Sequence, residues 1–126
     1  MRVQVFEDDQ AKEAAKLALS HRLFVSQGWD LNTRLHRIAK GSLDAAVAIA
    51  FEEETPIGVA VKFCPRWERF AEVQVFVRKK HRRKGVGRAM FKKLNPEENF
   101  HYGEGLRIVS PKFWQTMIQE SADIRK

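Results

Sequence analysis

The chain has a single cysteine, Cys64, in 126 residues, so no disulfide can form within it. A reducing compartment, the cytoplasm, is the expected setting. Cys64 itself reads as a small core residue rather than a nucleophile. His21, His36, His81 and His101 are scattered, with none at metal-ligand spacing from a cysteine or carboxylate, so no metal is expected. No apolar run approaches membrane-spanning length, and the first residues lack the charged-then-apolar pattern of a secretion signal; no membrane role is expected. The sharpest absence is local. Residues 78–93 contain no Asp or Glu but nine Lys or Arg, and the rest of the chain carries fourteen basic against sixteen acidic residues, so the net charge of +7 comes from one stretch. Charge concentrated in this way fits a phosphorylated ligand, or nucleic acid.

What is present fits one domain over residues 1–126, long enough for a single core. Val3 and Val5 alternate with Arg2 and Gln4 in a first strand. Asp8 or Asp9 caps a helix expected to run to about Phe24, with Ala14, Leu17 and Ala18 along one stripe. After a break at Ser26–Trp29, Asp30 caps a second helix, in which Leu31, Leu35 and Ile38 share a face and Gly41 marks the end. Ala45–Phe51 and Ile57–Phe63 then form a hairpin about a turn at Glu52–Pro56.

Residues Phe70–Lys93 organise the remainder. Ala71, Val73, Val75 and Val77 alternate with Glu72, Gln74 and Phe76, as in a strand. Val86, Ala89, Met90 and Leu94 recur at helical spacing. Between them lie Arg82, Arg83, Lys84, Gly85, Val86, Gly87 and Arg88. A strand that feeds a glycine turn opening a helix offers free N–H groups at the positive end of the helix dipole, which suits a phosphate. Asn95-Pro96 ends the helix. One more strand fits near Phe100–Tyr102 or Leu106–Val109, and Ser110-Pro111 starts a last helix carrying Phe113, Trp114, Met117 and Ile118.

Arg82-x-x-Gly85-x-Gly87, lying between a fourth strand and a third helix, resembles the (Gln/Arg)-x-x-Gly-x-(Gly/Ala) signature of the GCN5-related N-acetyltransferases, the GNAT family. The resemblance covers roughly residues 1–110, after which the chain is shorter than most members. It implies an α/β (α+β) fold with a mixed, mainly antiparallel sheet of about five strands flanked by about four helices. It implies acetyl-coenzyme A as cofactor, with the pyrophosphate on the main chain of Arg82–Arg88 and the pantetheine arm beside Val75, Phe76 and Val77. Lys79, Lys80, Arg83 or Lys84 are the candidates for its 3′-phosphate.

Acetyl transfer to nitrogen needs an unprotonated amine, whereas a lysine-like amine of pKa about 10.4 is almost wholly charged near neutrality. A general base with a raised pKa answers that need, and Glu72 is the candidate; many family members place a glutamate on this strand. The alternative is that Glu72 and Gln74 mark a solvated strand face. A bulge around Phe76 would offer an N–H to the thioester oxygen. Tyr102, the one tyrosine, is the candidate acid for the leaving thiolate, with Ser110 or water as alternatives. Trp29 and Trp67 are candidates for a cleft wall.

The expected function is transfer of an acetyl group to a primary amine of a protein or small molecule. The alternatives are a nucleic-acid-binding module, suggested by Lys79-Lys80-His81-Arg82-Arg83-Lys84, and a degenerate scaffold that binds coenzyme A as an interaction protein. A homodimer is compatible with the sequence. The small size and Ser-Pro-x-Phe-Trp ending resemble some phage-encoded transferases, which would place the protein in a host cytoplasm with a host protein as acceptor.

Overall fold

Near-continuous apolar runs, rather than clean alternation, mark strands that are buried on both faces. Ala46–Glu52 (β2) and Thr55–Phe63 (β3) are such runs, and they lie at the middle of the sheet. A computed structural model describes residues 1–24, 29–63, 71–94 and 100–102, with backbone alone for 29–30, 71–72 and 100–102. Strand order follows the chain, from Arg2–Phe6 (β1) through β2 and β3 to Ala71–Val77 (β4) and Phe100–Tyr102 (β5). The first four strands are antiparallel neighbours; β5 joins β4 in parallel.

Each face of the sheet has its own cover. Val47, Ile49, Val59, Val61, Phe63 and Phe76 pack beneath two helices, Asp8–Ser20 (α1) and Trp29–Ala39 (α2). Ala48, Ala60, Val73, Val75 and Val77 pack beneath Val86–Lys93 (α3). α1 presents Ala11, Ala14, Ala15 and Ala18, so it can lie close to the sheet, while α2 inserts Leu31, Leu35 and Ile38. The result is the mixed α+β architecture expected, with three α-helices among the described residues. The expected helix after Ser110 lies outside them, as does Cys64.

Several boundaries move, each for a physical reason. α1 stops at Ser20 rather than near Phe24. Arg22 adopts φ +54, and the N–H groups of Arg22 and Leu23 donate to the carbonyls of Leu19 and Ala18 at 3.0 and 2.9 Å. That is a Schellman closure made without glycine, which is why the sequence pattern ran on past it. α2 closes the same way at Gly41, φ +79, with Ser42 donating to Arg37 and Gly41 to Ile38. The cap residue of α1 is Glu7, not Asp8 or Asp9, and those two aspartates occupy the first turn, where they favour the positive dipole end. Asp30 likewise lies inside α2, which begins at Trp29. The hairpin turn is tighter than expected: Glu52 pairs with Thr55, and Pro56 enters β3 beside a register shift between Ala50 and Phe51, where its missing N–H is tolerated.

Candidate active site

β4 has different neighbours along its length. The Arg78 N–H donates to the Ile57 carbonyl at 2.9 Å, one step beyond the pair Gly58 and Val77. Backbone groups alternate sides along an antiparallel ladder, so those of Phe76 and Gln74 turn towards β3 and those of Val77, Val75 and Val73 turn away. On the far side, among the described residues, β5 pairs with Ala71, Glu72 and Val73. Among the described residues no strand adjoins the outer side of β4 from Gln74 to Val77. Among the described residues, Val75 and Val77 therefore present main-chain groups along an open edge.

This corrects one expectation. The β3–β4 register runs without a shift from Gly58 with Val77 to Phe63 with Glu72, so no bulge occurs at Phe76. The Phe76 N–H faces Val59, and its ring joins the cluster under α1 and α2. The open-edge amides belong to Val75 and Val77 instead.

The turn after β4 is built to stop a strand and start a helix within eight residues. Lys79–His81 forms one 3₁₀ turn, Arg82 is extended, and Arg83 takes φ +64. Gly85 then caps α3 at φ +82, a conformation that glycine adopts at little cost, and a Cβ there would meet no atom within 4 Å. The first intrahelical acceptor is the Gly85 carbonyl, which takes the Ala89 N–H at 3.0 Å. The preceding N–H groups of the first turn have no partner within the helix, as in any α-helix.

Two arginines of the basic stretch are structural. Arg78 Nη2 donates to the His21 carbonyl at 2.9 Å, tying the end of β4 to the end of α1. Arg82 Nε donates to the Val77 carbonyl at 2.8 Å, and its guanidinium lies 5.8 Å from the Phe76 ring centre. Arg82 thus folds back on its own strand. The Arg82 N–H faces the Lys79 carbonyl at 3.4 Å, so the N–H groups open to a ligand begin later in the turn. Lys79, Lys80, Arg83, Lys84 and Arg88 are exposed around the helix end. An N-terminal helix end, a left-handed glycine with open space beside it and surrounding cations together suit a diphosphate.

Gly58 is the positioning residue that the sequence pattern did not reveal. A Cβ on it would lie 3.0 Å from Met90 Cε, 3.2 Å from the Phe76 carbonyl oxygen and 3.4 Å from Val86 Cγ1. Its absence lets the first turns of α3 sit directly on β3 and fixes where the helix end points. A glycine inside an apolar strand was the available signal.

Glu72 is in register with Phe63 of β3 on one side and His101 of β5 on the other, at the closed end of β4. Tyr102 is opposite the next residue, Val73. The two candidate catalytic positions are therefore on adjacent strands, one register step apart. Gln74 is fully buried and Phe76 is 9% exposed, so a solvated face does not describe this side of β4 at those positions. Trp29 opens α2, while Trp67, Ser110, Phe113 and Trp114 lie outside the described residues. Among the described residues no group of His, Cys, Asp and Glu could hold a metal, and no helix is long and apolar enough to cross a membrane.

Residues 10–103 match the model of the acetyltransferase (GNAT) family. Among solved structures, an aminoglycoside antibiotic 6′-N-acetyltransferase from Acinetobacter haemolyticus is similar at TM-score 0.55 and 12% identity, over 96% of this chain and 89% of that one. A ribosomal-protein-alanine N-acetyltransferase from Brucella melitensis biovar Abortus 2308 is similar at TM-score 0.51 and 16% identity, over 100% and 92%. An aminoglycoside N-acetyltransferase in complex with CoA is similar at TM-score 0.55 and 14% identity, over 95% and 86%. At such identities the likeness is one of fold. No curated protein matches the sequence.

Proposed function

Because this chain belongs to the GNAT family of acetyl-CoA-dependent N-acetyltransferases, we propose that it acetylates a primary amine, on a protein lysine or N-terminus or on a small molecule, and that residues 1–126 work as one domain. The observation that carries this is the open half of β4 running straight into the glycine-capped end of α3. Acetyl-CoA supplies an acetyl group already activated as a thioester. The main chain at Val75 and Val77 would hold its pantetheine arm along the open edge. The N–H groups from Gly85 to Arg88 would hold the pyrophosphate, and one of the exposed Lys79, Lys80, Arg83 or Lys84 would meet the 3′-phosphate.

Glu72 would take the proton from the acceptor ammonium, directly or through water, so that the amine is a nucleophile when it meets the carbonyl. An N–H on the open edge would donate a hydrogen bond to the oxygen on which negative charge develops, and Tyr102 would return a proton to the departing sulfur. Both kinds of amine are represented among proteins of this fold, since the similar structures are named for aminoglycosides and for a ribosomal-protein alanine.

Calorimetric titration with CoA and acetyl-CoA tests the cofactor assignment, and thiol release across a panel of aminoglycosides, polyamines and amine-bearing peptides tests the acceptor. Saturable binding with turnover on one amine class is expected. No heat at millimolar CoA would overturn the assignment.

A further inference from the structure

On the reading of the turn after β4 as a CoA site, we propose that Arg78 is a positioning residue that carries the ordering of that turn to the end of α1. It would thereby link cofactor binding to the connection that leads to Trp29, the candidate cleft wall. Arg78 caps the 3₁₀ turn, and three parts of the molecule meet on it. Its N–H donates to the Ile57 carbonyl of β3 at 2.9 Å, and its carbonyl accepts the His81 N–H of the turn at 2.8 Å. Its Nη2 donates to the carbonyl of His21, the C-cap residue of α1, at 2.9 Å. Of the three, β3 is the fixed member, since Ile57 is buried in the sheet. The turn and the α1 end lie at the surface, where Lys79, Lys80 and Arg22 are exposed, and segments of that kind open most readily.

The α1 end has reason to depend on an outside contact. α1 carries no basic residue in its last turn to answer the negative end of its dipole. The carbonyls of Leu17, Ala18 and Leu19 are taken locally, by the N–H groups of His21, Leu23 and Arg22. The His21 carbonyl lies beyond that closure, and the guanidinium that meets it comes from a residue 57 positions away in sequence. A charged donor in a half-buried setting makes one of the stronger hydrogen bonds. Arg22 meanwhile holds the closure at φ +54, a conformation that strains a residue other than glycine.

Phosphates seated on the N–H groups from Gly85 to Arg88 would order the turn, and with it the His81 N–H that holds the Arg78 carbonyl. The entropy lost in ordering the turn and the α1 end is then lost once, on cofactor binding, and an acceptor that needs the α1 end in place loses less. By linkage each ligand strengthens the other by the same factor. No ligand has to touch Arg78 for this to occur.

The test is amide hydrogen exchange of the full chain with and without saturating CoA, on the parent and on Arg78→Met, with calorimetry giving the CoA dissociation constant of each. In the parent, CoA is expected to slow the Arg22 and Leu23 N–H groups at least about fivefold. Arg78→Met keeps an unbranched stem and has no donor. There the slowing should vanish, while the CoA dissociation constant stays within about threefold, because the binding-competent turn remains the major state. Leu23 is fully buried in the core, which favours a folded α1 in the variant. If Arg78→Met nevertheless fails to fold by circular dichroism, Arg78→Gln takes its place with the same expectation, and the parent arm needs no variant. A contact that merely fastens α1 gives a different result: faster exchange at Arg22 and Leu23 in Arg78→Met without ligand, and no effect of CoA on them in the parent. That result overturns the proposal, as does slowing that persists unchanged in the folded variant. Absence of CoA heat in the parent removes the cofactor assignment and this proposal with it, whereas CoA heat without slowing at Arg22 and Leu23 removes this proposal alone.

Discussion

The two halves of β4 share one side-chain pattern and differ in what borders them. From Ala71 to Val73 the strand is flanked by β3 and β5; from Gln74 to Val77, among the described residues, it has β3 alone. Valines at 73, 75 and 77 pack into the same cluster under α3 throughout. The core therefore does not distinguish the halves, and the difference resides in the main chain. One half serves as sheet and supports Glu72 between two neighbours; the other keeps peptide groups available to a ligand.

The largest expected effect separates the halves by function. Glu72→Gln removes the proposed base from the closed half, so turnover should fall by roughly 10²- to 10⁴-fold while the CoA dissociation constant, measured by calorimetry, stays unchanged. Equal turnover would move the base elsewhere. Amide hydrogen exchange compares the halves without mutation. Gln74 and Phe76, bonded to β3, should exchange at least ~100-fold more slowly than Val75 and Val77, because the edge amides need no opening of the sheet. Added CoA should slow Val75 and Val77 and leave their neighbours alone. Equal protection of all four in the apo protein would mean that the edge is covered.

The legibility of these features follows from how local they are. Strands and helices came from apolar periodicity, and the phosphate turn from Gly85 and Gly87 between a strand and a helix. The parallel placement of β5 beside Ala71–Val73 depends on a crossover from another segment and left no mark in the pattern. The direction of the Phe76 N–H was misread for the same reason: side-chain alternation gives faces, while peptide direction is set by the partner strand. Arg22 ended α1 where a glycine would have announced the stop. The turn of Arg82 back onto the Val77 carbonyl was not legible either, because a sequence shows charge and not where a guanidinium points.

Substitutions in the support of the open half come next in size. Gly85→Val forces a β-branched residue to φ +82 and should weaken CoA binding roughly tenfold or more, since backbone strain of about 1–3 kcal/mol falls on the helix end itself. Gly58→Ala acts from beneath. Met90 Cε can swing away from the new methyl, but the Phe76 carbonyl at 3.2 Å cannot, so a stability loss of about 1–2 kcal/mol by denaturant unfolding is expected. Loss of CoA affinity in Gly58→Ala that exceeds its loss of stability would show that α3 has tilted.

The smallest effect concerns the residue that joins the two roles. Arg82 opens the glycine signature, yet its Nε–H holds the Val77 carbonyl on the open edge and its guanidinium covers the Phe76 ring. Lysine keeps the charge but has neither the in-plane donor nor the flat face. Arg82→Lys should therefore cost about 1 kcal/mol, a fall of roughly 4 °C in Tm, with CoA affinity nearly kept. Arg83→Ala, at an exposed position, should do the reverse: Tm holds and CoA affinity drops by several-fold, more so at low salt. If Arg82→Lys melts like the parent but binds CoA tenfold more weakly, its guanidinium leaves Val77 to meet the phosphates, and the open edge gains a second free carbonyl whenever ligand is bound.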